Sequence, residues 1–188
     1  MRFHSNKQGI RVLAIAESFD RHDENSILAG IVMRRDLAID GIIFSDTAVG
    51  GNNGTEKVLS MISSLGRNDI SCILLGGLVI SVFNIINGKH ISEITGLPVM
   101  AISYKKSLGL KQSIHGINEK QKIRDYLQLG EREPVKLWTG KTIFVRHWGL
   151  TLDDASGLLN SLVFQGARPE PLRIATLAAR ACRNYLNY

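Results

Sequence analysis

The chain has 188 residues, 44% hydrophobic and 21% charged, a balance that suits one globular domain with room for a sizeable core. No run approaches the ~20 apolar residues of a membrane span, and the opening MRFHSNKQGIR lacks the apolar stretch of a signal peptide, so the expectation is a cytoplasmic protein. The formal net charge of +6 is uneven: residues 1–100 carry 9 Lys+Arg against 10 Asp+Glu, and residues 101–188 carry 14 against 7, which points to a polyanion partner such as DNA or RNA.

In chain order, IRVLAIAES (10–18) reads as a largely buried strand. SILAGIVMRR (26–35) and AIDGIIFSDTAV (38–49) follow as second and third strands. The links are short, so the three are expected to lie antiparallel. GGNNG (50–54) is a loop, and Thr55 is placed to cap a helix in TEKVLSMISSLGR. Its Val58, Leu59, Met61, Ile62 and Leu65 recur at helical spacing, and Gly66 stands near its end. ISCILL (70–75) is a buried strand, VFNIINGKHISEIT (82–95) a helix and LPVMAIS (97–103) another strand. KKSLGLKQSIHGINEK (105–120) is polar, basic and interrupted by Gly109 and Gly116, the best candidate for a flexible stretch. Residues 119–130 read as helical. VKLW and TIFVRHW flank Gly140 as a hairpin or two short segments. TLDDASGLLNSLV (151–163) has a Thr cap and acids in its first turn, a helix start. PEPLRIATLAARACRNYLNY (169–188) is a final helix.

Three antiparallel strands followed by helix–strand repeats give an α/β fold, a mixed sheet flanked by helices in the ribonuclease H-like order, built as a single domain over 1–188. Serine hydrolase chemistry is excluded because Ser18, Ser45 and Ser103 have no G-x-S-x-G setting. Zinc is disfavoured because the His and Cys residues have no ligand spacing; Cys72 and Cys182 read as reduced, structural thiols.

Six segments, in order, carry a resemblance: IRVLAIAESF, GIVMRRDLAIDG, GTEKVLSMI, CILLGGLVISVFNI, ITGLPVMAISYKK and GARPEPLRIATLAARA. Together they resemble the domain-of-unknown-function family 99 (uncharacterised protein family 0215), itself similar to endonuclease V. The resemblance implies a ribonuclease H-like fold and, in endonuclease V, cleavage of nucleic acid near deaminated bases with a divalent ion. That chemistry needs carboxylates from separate strands converging on Mg²⁺ or Mn²⁺. On this sequence the family's first-strand aspartate falls at Ala16. The glutamate opening the first helix is retained as Glu56. The aspartate ending the fourth strand falls at Gly76, and a late histidine falls at Thr176. The resemblance therefore implies a site with no catalytic residue in place beyond Glu56. LLGG then reads as a strand end that has lost its acid. It is not a P-loop, because no Lys-Ser/Thr follows the glycines.

The remaining candidates are weighed by chemistry. Glu17 stands beside Ala16 but should point to the opposite face of the strand. Asp46 ends the third strand and is a possible replacement metal ligand, as is Glu17 if a bulge re-aims it. Lys105 resembles a lysine after the fifth strand of endonuclease V, with Lys106 beside it, and either can meet a phosphate. Arg146-His147-Trp148 suits stacking and phosphate contact, although such a triplet is more often a strand with a half-buried Trp. Arg173 suits either a phosphate or a salt bridge.

The expected function is nucleic-acid binding without metal-dependent cleavage, with no cofactor. Two alternatives stand beside it. One is a protein-interaction module using the old cleft. The other is a Mg²⁺- or Mn²⁺-dependent endonuclease with shifted acidic ligands.

Overall fold

The computed structural model describes residues 9–105 and 120–186. Strands β1 (Arg11–Ser18), β2 (Asn25–Arg34) and β3 (Ile39–Ala48) form the expected antiparallel meander. Helix α1 (Gly54–Leu65) leads to β4 (Cys72–Leu75), which pairs parallel to β1. A small hairpin of β5 (Val79–Ile80) and β6 (Asn84–Ile85) precedes α2 (Gly88–Thr95) and β7 (Val99–Ser103), which is parallel to β4. Then come α3 (Lys120–Leu127), the hairpin β8 (Glu133–Lys136) and β9 (Thr142–Trp148), α4 (Leu152–Leu162) and α5 (Glu170–Leu186). The main sheet runs β3-β2-β1-β4-β7-β9-β8, with β9 antiparallel to β7.

The centre of the sheet is packed on both faces, and β1 shows how the sequence achieves this. Its residues alternate between two cores. Val12, Ala14 and Ala16 join Cys72, Leu74 and Met100 under α4 and α5, through Leu158, Leu162, Leu172 and Ala175. Leu13 and Ile15 join Ile73, Leu75 and Val99 under α1 and α2, through Val58, Met61 and Ile91. A strand covered on both faces reads as a continuous apolar run, which is why β1 and β4 are legible as buried. Cys72, wholly buried in β4, has its thiol pushed up to about 12 by that burial. No helix among the described residues is long and apolar enough to cross a membrane.

Two local expectations are corrected. Residues 82–95 are not one helix: Val82 and Phe83 have φ of 50° and 65°, outside the right-handed helical region, and the chain forms β5–β6 there. The helix begins only at Gly88, after Asn87 accepts a hydrogen bond from the His90 amide. Gly88 is required there, because a Cβ would lie 2.3 Å from the Trp148 ring. Nor does Thr55 cap α1. The N-cap is Asn53, while the Thr55 hydroxyl donates to the Ile85 carbonyl and accepts from the Asn87 amide. At the other end of α1, Gly66 takes the left-handed cap, φ 61°, as its position suggests. Thr151 does cap α4, accepting from the Asp154 amide. Of the stretch 105–120, read as flexible, residues 106–119 lie outside the described residues, Lys106 among them.

Candidate functional site

Parallel strands β1, β4 and β7 finish side by side, and ligands of open α/β sheets gather at such carboxyl ends. A cavity of about 320 Å³ opens there, lined by Ala16, Glu17, Gly76, Tyr104, Arg168 and Thr176 among others. The Gly76 amide donates to the Ile15 carbonyl at 2.9 Å, carrying the β1–β4 pairing one residue further. A side chain at Gly76 would start 3.5 Å from the Ala16 methyl. The Thr176 hydroxyl donates back to the Leu172 carbonyl at 2.8 Å. Three of the four positions singled out by resemblance thus line one cavity. The fourth, Glu56, is exposed in the first turn of α1 and is not part of that lining.

Glu17 follows the strand alternation and leaves the Ala16 face. Its Oε2 accepts from the Ser81 amide at 2.9 Å, tying the end of β1 to the β5–β6 turn. Its Oε1 and the Ser81 Oγ are buried without a hydrogen-bond partner among the described residues. The turn itself is strained: Val82 is β-branched, and a positive φ is rare for such a side chain. On the other side of the cavity the Arg168 guanidinium lies over the Tyr104 ring, 5.3 Å from its centroid. Burial pushes the Tyr104 hydroxyl up to about 12, against the downward pull of Arg168, so it is a neutral donor at pH 7.

This set of groups does not fit a resident divalent ion. Mg²⁺ is held by hard oxygen ligands, usually with at least one or two carboxylates. The described lining offers one carboxylate, Glu17, with one oxygen already engaged, beside a methyl at Ala16 and no side chain at Gly76. No group of three or more His, Cys, Asp or Glu suited to a metal occurs among the described residues. Asp46, weighed as a replacement ligand, is exposed on β3, outside the cavity lining, and pairs with Lys57 at 3.0 Å.

The basic candidates separate. Lys105 is exposed, directly after Tyr104 at the cavity end of β7. Arg146 has its Nε engaged within the fold. It donates to the Gly130 carbonyl at 2.9 Å beside a smaller cavity shared with Ser103, Tyr126 and Arg132, and burial lowers its pKa. His147 bonds the Leu150 carbonyl and the Glu133 carboxylate at 2.8 and 3.0 Å. Trp148, half-buried, packs against the core beside Gly88. Arg173 places its Nε between both Glu170 oxygens, at 2.9 and 2.8 Å, the salt-bridge outcome. Sequence reasoning missed Arg168, Tyr104 and Ser81. Arg168 and Tyr104 sit inside two of the quoted segments. Nothing in the local pattern marks Ser81.

The sequence model of the family described as Endonuclease dU matches residues 8–183. The UPF0215 protein of Pyrobaculum calidifontis is 32% identical over 178 residues, covering 93% of this chain and 98% of that protein. Among solved structures, a protein of unknown function from Archaeoglobus fulgidus matches with a TM-score of 0.80 at 26% identity, covering 92% of this chain and 98% of that one. Human ENDOV matches at 0.67 and 13% identity, covering 96% and 87%. Endonuclease V of Ciona intestinalis, solved with a 24mer DNA containing an inosine followed by a ribo-adenosine, matches at 0.65 and 11% identity, covering 99% and 92%. The last two show the fold: a ribonuclease H-like sheet of the endonuclease V kind.

Proposed function

Because the chain belongs to the Endonuclease dU family, we propose that it binds nucleic acid at the sheet end that carries the Ala16–Gly76 cavity, and that it does so without metal-dependent cleavage. The observation that carries this reading is the cavity lining. Ala16, Gly76 and Thr176 meet where the resemblance expects an aspartate, an aspartate and a histidine, and Arg168 points a cation into the same space. A phosphodiester is cut in such sites by an ion that polarises the phosphate and activates water. One carboxylate cannot hold that ion in fixed geometry. Arg168 in that lining still offers a phosphate oxygen a cationic partner, and the excess of Lys and Arg in residues 101–188 adds a longer-range attraction.

The test is fluorescence anisotropy with DNA and RNA over a salt series, using deoxyuridine-containing and inosine-containing strands beside unmodified ones. Binding is expected at low salt and should weaken log-linearly as salt rises. Lys105→Ala is expected to flatten the slope by about one unit. A parallel incubation with Mn²⁺ should leave the deoxyuridine strand intact. Efficient cutting by the wild type would overturn the absence of cleavage, and no binding at low salt would overturn the nucleic-acid reading in favour of a protein-docking role.

A further inference from the structure

The cavity end of the molecule also carries two large exposed aromatic rings. Trp138 and Phe164 are each 65% exposed. Trp138 lies in the β8–β9 turn. Because β9 is antiparallel to β7, with Phe144 opposite Ser103, that turn projects at the end where β7 stops and the cavity opens. Phe164 lies in the link from α4 to α5, which continues to Arg168 in the cavity lining.

The two segments are clamped together. The Trp138 amide donates to Asn160 Oδ1 at 2.7 Å, and its indole Nε1 donates to the Val163 carbonyl at 3.0 Å. The Thr139 hydroxyl donates to the Gly166 carbonyl at 2.5 Å. The indole nitrogen is therefore satisfied by the residue next to Phe164, and its ring is held outward rather than left to find a core. Leu137, its neighbour on the hairpin, supplies the buried contact instead. Holding a ring in place before binding removes the ordering cost that a mobile side chain would incur.

Charge decides what such rings meet. Lys136 and Lys141 are exposed on either side of Trp138. Between Glu133 and Asp153, and again between Asp154 and Glu170, the chain contains no acid. An apolar protein surface gains nothing from that cationic border. A nucleic-acid strand uses both parts, its bases on the rings and its phosphates on the lysines and arginine. In a duplex the base faces are already stacked on one another, so the fit is to a single strand.

We propose that Trp138 and Phe164 form a stacking platform for the bases of a single-stranded nucleic acid, leading away from the cavity over the β8–β9 turn. This rests on the nucleic-acid reading above and assigns it a second contact region and a strandedness.

The test titrates wild type, Phe164→Ala and Trp138→Ala with labelled oligo-dT of about 20 nucleotides and with a duplex of the same length, over a salt series. Wild type should prefer the single strand, and its tryptophan fluorescence should be quenched on binding. Each variant should lose about tenfold in single-strand affinity with an unchanged salt slope, since no charge is removed. Phe164 makes none of the clamping hydrogen bonds, so its removal tests stacking even if Trp138→Ala fails to fold. Wild-type binding that both folded variants retain in full, without quenching, would overturn the platform while leaving the nucleic-acid reading intact. No wild-type binding to either probe would overturn both. A wild-type dimer that becomes monomeric in Phe164→Ala would assign the rings to a second copy of the chain and overturn the proposal.

Discussion

At positions 16 and 76 the cavity carries a methyl and a hydrogen where the resemblance expects carboxylates, and the backbone leaves room for them. Gly76 does not need glycine's conformations: its φ is ordinary, and an added Cβ meets the Ile15 carbonyl at 3.4 Å, an ordinary contact. Ala16→Asp with Gly76→Asp would place two carboxylates side by side in the cavity. Calorimetric titration should show Mn²⁺ binding at least about tenfold tighter than in the wild type, since oxygen ligands replace a methyl and a hydrogen. Without metal, the double variant should lose about 1–3 kcal/mol in urea unfolding, because charged groups are buried close together. Unchanged Mn²⁺ affinity would show that these positions do not converge on a usable ion site. Asp69 provides a contrast at the opposite end of the sheet, where charge is paired. Its carboxylate takes two hydrogen bonds from Arg67, at 2.8 and 2.7 Å, and lies 3.3 Å from Arg11. The Arg67 bond holds its pKa below the usual carboxylate value. The ionised form is thus favoured by folding. Its contribution is complete above the unfolded pKa of about 4 and is lost as pH falls through the lower folded value. Asp69→Asn should therefore flatten the stability profile between neutral pH and acid only below about pH 4, measured by urea midpoints at stepped pH.

At the scale of elements, Asn84 joins three that the sequence presents separately. Its Oδ1 accepts from the Gly54 amide at the start of α1. Its Nδ2 donates to the Thr47 hydroxyl, the Ala48 carbonyl and the Asn53 side chain, all within 3.1 Å. It is fully buried, so Asn84→Ala should cost about 1–3 kcal/mol, and hydrogen exchange should show the Gly54 amide losing protection first. This residue also marks where sequence reading stops working. The long strands and amphipathic helices were legible because their apolar periods are set by the faces they bury. Residues 82–95 misled because an apolar spacing of helical kind continued through a turn whose positive φ values no pattern announces. Thr55 misled similarly: its hydroxyl had a better partner in Ile85, thirty residues away. The candidate site divides along the same line. Ala16, Gly76 and Thr176 were found by order along the chain. Arg168 and Tyr104 meet only through the tertiary fold, and Trp138, not Trp148, is the exposed indole because β9 packs its last ring against α2.

For the whole molecule, the two-faced packing around β4 has a practical consequence for following its motions. Cys72 sits on the central strand, with β1 on one side, β7 on the other and helices above and below. Reagents that attack thiolates find neither access nor ionisation there, because burial lifts its pKa to about 12. Fraying of an outer strand or helix end does not uncover it; only separation of the sheet itself does. In a Cys182→Ser variant, where Cys72 is the sole thiol, alkylation should therefore act as a clock for global opening. Its rate in the folded protein should match the rate or free energy of complete unfolding measured by denaturant. It should slow when nucleic acid is bound, by the factor that binding adds to stability. Modification much faster than unfolding would mean that the parallel centre of the sheet breathes on its own.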